Sequence, residues 1–124
     1  MGKVLVKTGV EFTRIAPAGA RILEVLRALV TELPFNVTIT SACDGVHSAG
    51  DAGGRQDPHY TGEAYDLRTR DLTALEKGRL LMELQRRLGD RFYAFLEAPL
   101  TPNEHIHVQR RKGTVYSILD YLAA

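Results

Sequence analysis

Between residues 18 and 33 the apolar positions fall on one helical face. Ile22, Leu23, Leu26, Leu29, Val30 and Leu33 recur at spacings of three and four. Pro17 suits the first turn and Pro34 stops the run. The period then changes to two: Phe35, Val37 and Ile39 alternate with Asn36, Thr38 and Thr40, the pattern of a half-buried strand over 35–41. Residues 42–61 carry no period, and Gly45, Gly50, Gly53 and Gly54 with Asp, Ser and Pro predict an irregular segment of about twenty residues, a length uncommon in compact domains and usually functional or mobile. A short strand follows at "EAYDLRT" (63–69). A second amphipathic helix is expected over 72–89, with Thr73 and Glu76 in capping-box spacing and Gly89 as its C-cap. "RFYAFLE" (91–97) and "HIHVQ" (105–109) read as strands joined by "APLTPNE", and 115–124 as a terminal helix. The expectation is a single α+β domain over 1–124, with helices packed on one side of a small, largely antiparallel sheet.

Composition narrows the function classes. With 124 residues, 44% apolar and 25% charged, the chain can bury a core without a staple. Its lone cysteine, Cys43, excludes an intramolecular disulfide and a Cys-rich zinc site. A net charge of +1 gives no field to recruit nucleic acid or an acidic membrane, and the basic runs at 84–91 and 109–113 read as solvated faces. No apolar run reaches the ~18–20 residues of a membrane span. "MGKVLVKTG" lacks the apolar core of a signal peptide, so the chain is expected to be cytoplasmic as synthesised, reaching other compartments by release on lysis or delivery by another protein. A monomer is expected.

The chemistry is carried by histidines at 47, 59, 105 and 107. His105 and His107 are two apart, so on a strand they share a face. With His59 and Asp66 they make two or three imidazoles and one carboxylate. Catalytic zinc sites take three protein ligands from this set and leave a fourth position open, a description met by His59, Asp66 and one histidine of the "HIH" pair. Zinc is the default metal for such nitrogen and oxygen donors. Each piece alone has a plainer reading: His59 as a hydrogen-bonded surface residue, Asp66 as a partner of Arg68 or Arg70. The joint pattern favours the metal.

"HYTGEAYD" (59–66) fits H-x-x-G-x-A-x-D and resembles the first zinc motif of the D-alanyl-D-alanine peptidases, whose fold is shared with the hedgehog signalling domain. "ITSACDGVHSAG…PHYTGEAYDLRTRD" and "FYAFLE…HIHVQ" are similar in order and spacing to the hedgehog-like and phage cell-wall-peptidase branch, over about residues 37–109. The resemblance implies zinc held by His59, Asp66 and His107. It implies His47 beside the metal and His105 facing water or substrate. For the general base it offers Glu97, at the end of "FYAFLE", and Glu104, three before His107; Glu97 is slightly favoured. Many of these peptidases place an arginine just after the "TS" strand to hold a substrate carboxylate. Here Cys43 and Asp44 stand there, leaving Arg55 as the candidate substitute and favouring cleavage within a stem peptide. The implied activity is zinc-dependent hydrolysis of peptidoglycan stem peptides, as endopeptidase or D,D-carboxypeptidase.

Two other readings compete. A zinc-containing binding domain of the same fold would hold the metal without chemistry. H-x-H-x-Q also resembles the nucleotidylyl-transferring histidine-triad proteins, a reading that leaves "HYTGEAYD" unexplained.

Overall fold

The computed structural model describes residues 1–43, 59 and 61–124. Five strands and three helices alternate as β1 (Val4–Val6), α1 (Pro17–Val30), β2 (Val37–Ser41), β3 (Ala64–Arg68), α2 (Ala74–Leu88), β4 (Phe92–Glu97), β5 (His105–Arg110) and α3 (Ile118–Ala123). The strands form one sheet in the order β1-β2-β3-β5-β4. The fold is α+β, and the sheet is mixed: β1 runs parallel to β2, and the other three pairings are antiparallel.

Strand β1 is absent from the sequence expectation. It is three residues long, mostly exposed, and has no alternation; its ladder partners lie more than thirty residues away, with Val4 opposite Val37. A parallel neighbour needs a crossover, and α1 supplies it. Helix α1 also stops at Val30, earlier than the apolar pattern suggests. Gly2 donates its amide to the Val30 and Leu33 carbonyls, so the N-terminus takes the place of a further helical turn.

The core follows the predicted periods. Ile22, Leu26 and Leu29 of α1, with Leu80 and Leu84 of α2, cover one face of the sheet, where Val37, Ile39, Tyr65, Leu67, Ile106 and Val108 are fully buried. The α2 capping box forms in full: the Thr73 hydroxyl accepts from the Glu76 amide and the Glu76 carboxylate from the Thr73 amide. Because side chains alternate along a strand, burying Tyr65 and Leu67 turns Asp66 and Arg68 to the opposite face. That face, free of helices among the described residues, carries the chemistry. The expected irregular segment at 42–61 lies almost wholly outside the described residues. No helix among the described residues is long and apolar enough to cross a membrane.

Candidate metal centre

Antiparallel register assembles most of the site. Asp66 on β3 lies opposite His107 on β5, and Phe95 on β4 lies opposite His107 from the other side. One step along, Arg68, His105 and Glu97 form the next row. Directly opposed residues share a face, so three strands deliver Asp66, His105, His107 and Glu97 to one patch. One donor atom from each of these four lies within 4.8 Å of the others, a group able to hold a metal ion.

His59 reaches the patch from a turn. The Gly62 amide bonds to the His59 carbonyl, and the Gly62 carbonyl accepts from Ala16 at the start of α1. Gly62 sits at φ +76°, and a Cβ there would lie 2.3 Å from the Arg14 carbonyl oxygen. Glycine is therefore required for both the backbone conformation and the space. The turn seats His59, 3% exposed, with Nε2 3.3 Å from Asp66 Oδ1. The same oxygen is 3.0 Å from His107 Nδ1 and 3.6 Å from His105 Nε2.

The outward hydrogen bonds of the rings decide what this cluster can hold. His59 Nδ1 faces the Ala42 carbonyl at 2.9 Å, an oxygen that only accepts, so Nδ1 carries the proton and Nε2 turns its lone pair to Asp66. His107 Nε2 is 2.6 Å from Gln109 Oε1. Gln109 uses its own amide N–H₂ on the Arg110 carbonyl, which leaves its oxygen for His107. His107 Nε2 is thus the donor, and Nδ1 faces the carboxylate. Two imidazole lone pairs aimed at one carboxylate repel it unless a cation lies between them. Extra protons satisfy the geometry, and so does a metal ion. Ligand histidines anchored through their second nitrogen to a carbonyl oxygen are the usual outer arrangement of metal sites. The residues present fit a divalent ion.

Protons on the facing nitrogens, in place of an ion, would do the same work. Burial pushes the Asp66 carboxyl up, but hydrogen bonds from His107 and His59 and the nearby imidazoles outweigh it and hold the group well below the usual carboxylate range. Burial pulls His107 down, and its bonds to Asp66 and Gln109 overcome this and raise it.

Of the two candidate bases, the structure brings only Glu97 to the cluster, with Oε1 2.7 Å from His105 Nε2. Glu104 is committed elsewhere. Its carboxylate accepts from Lys77 Nζ at 2.6 Å, Thr69 Oγ1 at 2.8 Å and the Leu100 amide at 3.0 Å. Those bonds, the Leu100 amide first, hold its pKa down to about 2. They also pin the loop 98–104, in which Ala98 and Leu100 sit at φ 51° and 63°, strained for residues with a Cβ. Glu104 is a structural clamp beside the site. A carboxylate depressed on folding stabilises above its ordinary pKa, and that contribution is lost as pH falls from about 4.5 towards 2. Glu104→Gln is expected to lower the thermal midpoint at neutral pH and to flatten the acid limb in that window, with metal uptake kept. An unchanged acid limb would refute the clamp.

His47 and Arg55 lie outside the described residues. Other cations stand near the cluster. A cleft of about 230 Å³ opens beside Asp66 and His105, walled by Lys7, Arg68 and Arg70 with Thr40 and Asn103. Arg68 has one loose partner, Asp71 at 3.7 Å, and neither Lys7 nor Arg70 has an ion-pair partner among the described residues. On the other side of His107, Phe95 packs 5.4 Å from the imidazole and against Tyr93, over which Arg111 sits. Gln109 stands in the sequence as the third member of H-x-H-x-Q at period two, but its role as the acceptor of His107 Nε2–H was missed. The cleft cations carry no local sequence signal, since Lys7, just after β1, and Arg68, at the end of β3, are brought together through β2. No family model, curated protein or solved structure matches the chain.

Proposed function

We propose that this chain is a zinc-dependent peptidase acting on peptidoglycan stem peptides, of the kind represented by the D-alanyl-D-alanine peptidases and their hedgehog-like relatives. The observation that carries the reading is the pair of anchored imidazoles, His59 and His107, converging with Asp66 beside a fourth group, Glu97. A zinc ion held by His59, Asp66 and His107 would supply a Lewis acid and an acidified water. Glu97 is placed to accept a proton from the attacking water and return it to the leaving amine, and His105 orients the Glu97 carboxylate through their 2.7 Å contact. Lys7, Arg68 and Arg70 suit a peptide bearing carboxylates, as stem peptides do. They are a second source of the cationic contact sought in Arg55. The cell wall is the proposed place of action.

The test is direct. Zinc-loaded protein incubated with purified peptidoglycan of several chemotypes should release stem-peptide fragments identifiable by mass spectrometry, and a chelator should stop the release. Metal uptake without release from any chemotype would replace the peptidase with the zinc-containing binding domain.

A further inference from the structure

Three imidazoles and two carboxylates are more donors than one tetrahedral ion with an open position uses. We propose that the surplus pair, His105 and Glu97, forms a second cation seat sharing Asp66 with the centre described above, an inference that rests on that centre being a metal site. His105 Nδ1 lies 2.7 Å from the Asn103 carbonyl, which accepts its proton. Its Nε2 is then the ligating nitrogen, 2.7 Å from Glu97 Oε1 and 3.6 Å from Asp66 Oδ1. His105 repeats the arrangement of His59 and His107: one nitrogen anchored to a carbonyl oxygen, the other turned to a carboxylate. At 2.7 Å the contact is of hydrogen-bond length, so a cation would sit beside it, where donor atoms of Asp66, Glu97 and His105 all lie within 4.8 Å of one another.

One imidazole and two carboxylates suit a borderline divalent ion, the same class that the first seat takes. The second seat is the weaker. It has one imidazole where the first has two, and it shares Asp66 with an ion of like charge. It is also more open, with the Glu97 side chain 47% exposed and His105 21%. An ion there would occupy the carboxylate assigned as base. Hydrolysis therefore rises with the first equivalent of zinc and falls with the second, by up to the ~10²–10⁴-fold that a general base contributes. The surplus donors would make the centre self-limiting at high metal.

Equilibrium dialysis against rising free zinc, with bound metal counted, tests this without any substrate. Wild-type protein should take up two equivalents in separated steps, and His105→Ala and Glu97→Gln only the first. Both side chains lie on the open face outside the core, and two variants guard against one misfolding. A wild type saturating at one equivalent, or both variants still taking two, overturns the second seat and leaves the first standing. A wild type binding no zinc at all removes both.

Discussion

Asp66→Ala is expected to purify without metal and to lose zinc affinity far beyond 100-fold. Asp66 is the hub of the cluster, its Oδ1 within 3.6 Å of three imidazole nitrogens. Removing it takes away the carboxylate that lies between His59 and His107. His59→Ala and His107→Ala should each lose the tight first equivalent, keeping at most the weaker seat of Asp66, His105 and Glu97. Gln109→Leu is the graded control. It keeps every ligand and removes only the acceptor of His107 Nε2–H, a loss of the 10–100-fold kind expected for an outer partner. Stability gives a second readout, since an ion at about a thousand times its dissociation constant stabilises the fold by about 4 kcal/mol. Wild-type protein should show that metal-dependent rise in thermal midpoint and Asp66→Ala none. The rise has a pH signature. His107 holds its proton more tightly than an ordinary imidazole because its bonds to Asp66 and Gln109 outweigh burial, and that proton competes with the metal. Uptake therefore strengthens as pH rises past the ordinary imidazole range near ~6.5 and fades below it. If Asp66→Ala held zinc as tightly as the wild type, the centre would be misassigned.

Legibility in the sequence followed the range of the interactions. Helix α2 could be read nearly to the residue because its signals are local: a capping box at Thr73 and Glu76, an apolar stripe, and Gly89 after the last turn. Strands β4 and β5 could be read as two short runs joined by the loop "APLTPNE". Strand β1 could not be read in this way, since three residues hold no period and their ladder is set by Val37 and Ile39 far along the chain. The same division runs through the site. His105 and His107 declare themselves by their spacing on a strand. His59 and Asp66 are seven apart and meet only because Gly62 turns the chain at φ +76° against the start of α1. Spacing left the two glutamates, Glu97 and Glu104, nearly level. They differ in three dimensions, because Lys77 on α2 and the Leu100 amide claim Glu104. Neither partner is visible in the E-x-x-H pattern.

Glu97→Gln should separate binding from chemistry. Glu97 ends β4 opposite His105, with its side chain 47% exposed and its Oε1 2.7 Å from His105 Nε2. The amide has the same shape and one oxygen still able to accept, so the fold and the first zinc equivalent should survive. What it lacks is basicity. A carboxamide cannot take a proton from the attacking water or hand one to the leaving amine, and the expected loss in fragment release is about 10²–10⁴-fold. The loss should fall on kcat, because the proton transfer belongs to the transition state and not to substrate binding. Glu104→Gln provides the contrast: less stable, yet with kcat near that of wild type once folded. His105→Ala should lie between them, since it removes the group that positions Glu97 and leaves the carboxylate in place. Its kcat loss should be the smaller. Should Glu97→Gln release fragments at the wild-type rate while Glu104→Gln does not, the clamp and the base would have to exchange roles, against the three bonds that now hold Glu104.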